Sequence, residues 1–524
     1  MSSHTVLGLL ALTVAVSFPL VADNQPQSTH QFVPPEHWSY GMLRDVLREA
    51  PIRGLSPTRL QGAFTFNATE MAEMAWKAYE HERDHPSDRA SVRRALSALL
   101  GEYSWVLESA GRPVGDALAA LHSEFVEGAD VAGSLTGGLV ASSAGAHSDL
   151  TADASIALWP NSSQAFGIVG TTFRPSDAGQ DRLGRPLLER AAFYWRRPDY
   201  QLTVGRDYLT MGLGVRGTYG FGSVADPAEQ IRYRDRIQLF GTRFVVDMAL
   251  ASREQSGQRV RLLTRRLEKR LSPEIEVALT ESGQFLTGPS WPYYLTIMHV
   301  ASLIEQNVLT GLAAQDNDNL MVGVDLYWKA SPYAELYGEL AVDELDGAAW
   351  LDAVGLYRPL ANWQFLKDLG IEIHAPGVHE SVLGSLVGVY LPDVLGNDRL
   401  SLRGEFASSS RRFGIGTRTG PLDYFDDGRP LQHRLGPDGK GVYVEAKYFA
   451  GDWALRGFVE RSSRRLSLPT PERETLVGLI GVRELGRDTS ARLGLWYRDV
   501  SGVRNVAGSR QTSLTTAAGV RWEF

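Results

Sequence analysis

The sequence predicts an all-β transmembrane β-barrel of about 16–18 antiparallel strands, preceded by a small α-helical periplasmic region. Three observations predict it. Many segments alternate with period two between an apolar and a charged face. The chain opens on one short apolar segment of signal-peptide character, with no later apolar run long enough for a membrane helix. Its last strand stops on an aromatic residue, Phe524.

The strands carry most of the argument. In "LMVGVDLYWK", Leu320, Val322, Val324, Leu326 and Trp328 oppose Met321, Gly323, Asp325, Tyr327 and Lys329. In "AELYGELAVDE", Ala334, Leu336, Gly338, Leu340 and Val342 oppose Glu335, Tyr337, Glu339, Ala341 and Asp343. "WALRGFVERS" and "SARLGLWYRD" set Arg456 and Glu460, then Arg492 and Arg498, against Leu455, Val459, Leu493 and Leu495. Such second faces are too charged for a protein core and suit a watery lumen, while the first faces suit lipid. The terminal strand puts Leu514, Thr516, Ala518, Val520, Trp522 and Phe524 on one face. Pairing it with the first strand leaves no edge in lipid, and Phe524 is the expected signal to the barrel-insertion machinery. Dividing roughly 395 residues by about 10 per strand plus loops yields the strand number.

Ahead of the barrel the chain divides into three parts. Residues 1–22 read as a signal peptide: the apolar stretch runs from Val6 to Leu20, Pro19 breaks it, and small Ala22 precedes Asp23. Residues 23–86 hold two short helices, the second opening with Asn67 as N-cap and Glu70 three residues on. Residues 87–128 read as a helical hairpin or coiled-coil stalk, with Val92, Leu96, Leu99, Tyr103 and Val106 as its stripe and a break at Gly111-Arg112-Pro113. The barrel takes 129–524.

Composition removes other classes. With no cysteine there are no disulfides or thiolate metal sites, and a net charge of −8 without a basic motif argues against nucleic acid. Mean hydropathy is −0.18, too low for a helical membrane protein. "QDNDN", Gln315 to Asn319, reads as a solvated turn rather than a calcium loop, and His374, His379 and Glu380 lack metal-ligand spacing. Glu335, Glu339 and Asp343 stand about 7 Å apart along one strand face, an arrangement that lines a lumen rather than brackets a glycosidic bond. The expectation is a protein that is not an enzyme and carries no cofactor.

Two resemblances add to this reading. Pro35, His37, Trp38 and Tyr40, then Gly54 and Pro57, then "NATE" with Ala68 in place of the family's basic residue, resemble one S-layer homology repeat. That resemblance implies contact with peptidoglycan or its secondary polymer, for which His37, Trp38 and Glu70 are the candidates. Tyr294-Leu295, His299, Asp318-Asn319, Gly323, Asp325, Trp328, Leu336-Tyr337-Gly338-Glu339-Leu340 and Asp343-Glu344, after the Gly-rich hairpin of Glu189 to Ser223, resemble the capsule-assembly Wzi family. This implies an outer-membrane barrel that binds capsule or exopolysaccharide. Candidate sugar and lumen contacts are Asp325, Tyr327, Tyr337, Glu339, Trp496 and Arg498, aromatic faces for stacking beside polar groups for hydrogen bonds. The alternative is a general porin whose S-layer homology module tethers the outer membrane to the cell wall.

Overall fold

The computed structural model describes residues 32–33, 37–49, 66–87, 89–123, 128–142, 145–159, 165–173, 187–196, 200–220, 227–239, 242–255, 258–285, 309–310, 318–344, 362, 372–373, 382–394, 396–397, 399–414, 425–426, 429–430, 433–486 and 489–523. The signal-peptide segment, the His374–Glu380 stretch, His299 and Phe524 lie outside them.

Eighteen strands form one antiparallel sheet. They are β1 Gly128–Ser142, β2 Gly145–Trp159, β3 Ala165–Phe173, β4 Leu187–Arg196, β5 Tyr200–Asp207, β6 Ala228–Leu239, β7 Thr242–Gln255, β8 Gln258–Arg270 and β9 Ile275–Phe285, then β10 Asp318–Ser331, β11 Ala334–Glu344, β12 Val382–Leu391, β13 Leu400–Ser409, β14 Gly439–Ala450, β15 Trp453–Arg464, β16 Glu472–Gly486, β17 Thr489–Ser501 and β18 Arg510–Glu523. Each pairs with its neighbours in the chain, and β18 returns to β1 in the register Thr515↔Ser142 to Glu523↔Ser134, closing the sheet. Closure is what hydrocarbon demands, because an unpaired strand edge there leaves backbone groups with no water to bond. Among the described residues no helix is long and apolar enough to cross a membrane.

The two faces sort by solvent. On β10 and β11, Val324, Leu326, Trp328, Leu336 and Leu340 point outward at 38–49% exposure, while Asp325, Tyr327, Glu335, Tyr337 and Glu339 between them are 9% exposed or less. The outward apolar groups belong in lipid; the inward polar ones are covered by something inside the barrel. The outward face of β8 and β9 departs from the pattern: Arg265 and Glu281 face each other at 3.8 Å and are buried, as are Leu263, Lys269 and Phe285 on the same face.

The ends of the barrel differ. One carries the start of β1, the end of β18 and tight hairpins such as that between β14 and β15, where Gly451 takes φ +55°. Trp195, Tyr233, Trp328, Tyr448, Trp453 and Trp522 stand outward near this turn end, as an aromatic girdle does. The opposite, loop end carries the longer connections, including 208–227 and 410–438.

At the turn end sits a helical unit: α1 Trp38–Glu49, α2 Ala68–Asp84, α3 Ala90–Glu102, α4 Ser104–Ser109 and α5 Val114–Ser123. The expected capping box is present, with Asn67 Oδ1 accepting from the Glu70 N–H at 2.9 Å and Glu70 Oε2 accepting from the Asn67 N–H at 2.8 Å. The segment read as a helical hairpin or coiled-coil stalk packs back on its own unit and on the barrel mouth. Gly111, at φ +76°, turns the chain after α4, and Leu96, Leu99 and Leu100 of α3 are buried with Leu43 and Leu47 of α1 and Met71 and Ala75 of α2. An apolar stripe that finds a partner in its own unit has none left to extend as a coiled coil. The same cluster takes in Phe166, Tyr194, Phe449 and Val482 from the barrel's inner wall, so the unit is seated in the barrel mouth.

Glycines of the inner wall receive aromatic rings from the next strand. Tyr337 faces Gly388 and Phe458 faces Gly478 as cross-strand partners, and a Cβ at either glycine would stand 2.2 Å from the ring. Gly388→Ala is therefore expected to push Tyr337 aside and destabilise the barrel by about 1–3 kcal/mol, lowering the temperature at which the folded form disappears on a heat-modifiability gel. Gly457→Ala, whose Cβ would meet nothing closer than 3.9 Å, is expected to leave that temperature unchanged.

Candidate functional site

What fills the lumen is the chain itself. The connection from β5 to β6 does not extend away from the barrel: Leu209, Met211, Leu213 and Tyr219 are all buried. Its glycines allow this. Gly212 and Gly217 hold φ +153° and +126°, and a Cβ on Gly212 would collide with Thr218 while one on Gly214 would stand 2.1 Å from the Gly217 carbonyl.

Three inward carboxylates pin the loop. Glu339 accepts from the backbone N–H groups of Leu213, Gly214 (2.9 Å) and Tyr219 (2.6 Å) and from the Thr218 hydroxyl (2.7 Å). Glu405 accepts from the N–H groups of Val215 at 2.7 Å and Arg216 at 3.2 Å, and from the Tyr337 hydroxyl at 2.8 Å. Glu460 takes the Arg216 guanidinium at 2.7 Å and that of Arg434, from the connection between β13 and β14, at 2.6 Å. The two inserted connections also touch, with Tyr219 stacked on His433 and edge-on to Phe413, each pair of rings 5.2 Å apart. A buried carboxylate without donors is costly, so each of these acids fixes the position of its donors.

A second network continues below. Arg266 joins Asp325 and Glu268, and donates to Thr280 at 3.0 Å. Glu445 holds Arg456 at 2.5 Å and Lys447 at 3.5 Å, with the Tyr443 hydroxyl donating to it at 2.8 Å. Lys447 also stands over the Phe66 ring, and Arg403 over Tyr390, whose hydroxyl donates to Glu70 at 2.5 Å.

These contacts place the sequence candidates. Asp325, Tyr327, Tyr337 and Glu339 lie inside the barrel; both oxygens of Glu339 are taken by the protein's own donors, Asp325 is paired with Arg266 through one carboxylate oxygen, and Tyr337 is tied to Glu405. Trp38 is buried against Phe166 and Tyr194 under the Arg196 guanidinium, 4.7 Å from its ring. Glu70 caps α2 and accepts from Tyr390; His37 bonds Ser39 at 2.8 Å and faces Glu102 at 3.9 Å. All three serve the seating of the helical unit on the barrel, and the Trp38 face needed to grip an external polymer is covered.

Trp496 and Arg498 have a different setting. Their wall, β16 to β18, is the part of the described inner face left half-open: Trp496 lies over Gly494, Ser513, Thr515, Ala517 and Gly519 are small, and Arg492 is exposed with no ion pair among the described residues. Arg498 is 47% exposed beside Glu474, 2.7 Å away. Sequence alternation had signalled Arg492 and Glu460; Glu405 and Arg216 were missed, because nothing local says which wall position meets an inserted loop. Among the described residues no group of three or more His, Asp or Glu suits a metal ion.

No protein-family model matches the sequence, and no curated protein matches it. Solved structures do match. Wzi of Escherichia coli, described as an outer-membrane carbohydrate-binding β-barrel involved in group 1 capsule assembly, aligns over 94% of this chain and 99% of its own, with a TM-score of 0.52 and 12% identity. The fold is that of an outer-membrane β-barrel. OccAB4 of Acinetobacter baumannii aligns over 76% of this chain and 98% of its own, with a TM-score of 0.42 and 9% identity, and OprD of Pseudomonas aeruginosa over 76% and 95%, at 0.40 and 8%.

The seat of the helical unit is sensitive to acid. Burial, opposed in part by Glu102, pushes the His37 imidazole from 6.5 down to about 4. Burial alone would raise Glu102, yet Arg196 and then His37 hold it below the usual carboxylate range. An unfolded chain takes up the His37 proton near 6.5 and the folded one near 4, so stability is full above pH 6.5 and is lost as pH falls toward 4. Lowering pH from 7.5 to 5 is expected to cost the helical unit about 1–2 kcal/mol, seen as an earlier urea midpoint by circular dichroism at 222 nm. His37→Gln should flatten that dependence.

Proposed function

We propose that the protein is an outer-membrane barrel that binds an acidic surface polysaccharide, capsule or exopolysaccharide, rather than a diffusion channel or an enzyme. The observation that carries this reading is the lumen occupied from both ends, by the Leu209–Gly220 loop anchored on Glu339, Glu405 and Glu460 and by the helical unit at the turn end. A general porin needs a continuous aqueous path lined by charge. Here the charges are spent on internal partners. The half-open wall supplies what a sugar polymer needs: the Trp496 ring as a stacking face, and Arg492 and Arg498 for carboxylate or phosphate groups. The likeness in fold to a carbohydrate-binding barrel of capsule assembly supports the same reading. In this reading the turn end and its helical unit face the periplasm, and that unit acts as a stopper.

Planar-bilayer conductance with polymer retention tests this. The refolded protein is expected to insert without steady steps of nanosiemens order, and to retain an acidic capsular polymer on a pull-down. Trp496→Ala with Arg492→Gln should reduce retention at least tenfold, while deletion of Leu209–Tyr219 together with the helical unit, residues 37–123, should open the pore. Steady ohmic steps from the intact protein would favour the porin.

A further inference from the structure

The outward surface carries a charge pattern that sugar binding does not use. On the loop-end side of β14 to β16, Lys440, Ser463 and Arg473 share one cross-strand row, and Arg461 stands two residues from Ser463 on the same outward face. The three cations are exposed, and none has an ion pair among the described residues. Strands about 4.8 Å apart, with same-face residues about 6.8 Å apart along each, bring the cations within about 10 Å of one another around a small hydroxyl. In a chain of net charge −8, this is a concentrated basic spot.

Its height fixes what it meets. Toward the turn end Arg461 shares the next outward row with Val442 and Thr475, and the row after that is Val444, Val459 and Val477, all exposed and apolar. Ser463 lies ten residues along β15 from Trp453, which stands in the turn-end girdle under the Arg483 guanidinium, 5.2 Å from its ring. Ten residues of a strand tilted about 40° span roughly 25 Å of height, the depth of the apolar band. The cluster therefore sits at the loop-end boundary of the hydrocarbon, with acyl-facing wall beneath it.

We infer that Lys440, Arg461 and Arg473 form a binding site for the phosphorylated headgroup of a membrane lipid whose acyl chains lie along Val444, Val459 and Val477. Two guanidinium forks and an ammonium converging on one spot match a phosphate's oxygens, and the apolar rows below match only a ligand that also carries chains. A soluble anion gains nothing from those rows. The site is independent of the sugar reading, since it faces away from the lumen.

Native mass spectrometry of the full chain in detergent micelles tests this, with bis-phosphorylated lipid A and its dephosphorylated form as probes. The intact protein should hold the phosphorylated lipid at least tenfold more tightly. K440Q/R461Q/R473Q should bring that preference below threefold, and K440R/R461K/R473K should keep it. Equal binding of the two lipids, an unchanged preference in the Gln variant, or displacement of the lipid by inorganic phosphate or an acidic polysaccharide at equal charge concentration would overturn the site. Heat-modifiable gel migration reports folding of each variant; should the triple Gln variant not fold, R461Q alone should lower the preference about threefold, and no change would overturn the proposal.

Discussion

A closed sheet in hydrocarbon must turn its apolar face outward, and everything else about this protein follows from what that leaves inside. The inner wall inherits the acids and bases that the period-two pattern sets opposite the lipid-facing residues. Once the lumen is occupied these groups lose water, and each needs a donor or acceptor of its own. Glu339 illustrates the solution: it takes backbone N–H groups from a glycine-rich loop whose own strand partners have been given up. The wall needs donors, the loop needs acceptors, and neither arrangement is stable alone.

The two stoppers use different physics. The helical unit is held mainly by apolar contact, Trp38, Phe66 and the α-helical core meeting Phe166, Tyr194 and Phe449, with charged ties such as Arg236 to Glu108 at 2.7 Å around it. The inserted loop is held mainly by carboxylates. Hydrogen bonds to charged groups contribute about 1.5–3 kcal/mol each, and losing one partner costs more than the pair gains over an apolar replacement. That asymmetry makes the loop position specific: a substitution that keeps volume but removes charge at Glu339 or Glu405 leaves several buried donors unmet.

Much of this was legible in the sequence, in a particular order. Strand faces were readable because lipid enforces alternation residue by residue, as at Val324, Leu326 and Trp328. The Asn67–Glu70 capping box was readable because both members lie within one turn. Relations between distant segments were not. Nothing near Gly212 or Arg216 announces that they meet Glu339 and Glu460 across the lumen, and the stripe of α3 is the same whether it serves a coiled coil or a compact unit. Trp38 and Glu70 were read as candidate contacts to a cell-wall polymer; in the structure Trp38 packs on Phe166 and Tyr194 of the barrel and Glu70 accepts from Tyr390. Residues 208–220 carried the one available signal, a run of glycines that permits tight folding without naming its partner.

The central claim, that internal carboxylates hold a loop inside the barrel, is tested most directly by hydrogen exchange of the intact protein in micelles, read at Leu213, Gly214, Val215, Arg216 and Tyr219. Amides donating to Glu339 and Glu405 should exchange as slowly as those of the neighbouring strands, and should become fast in Glu339→Gln with Glu405→Gln. Exchange in the unaltered protein at the rate of an exposed loop would contradict the account.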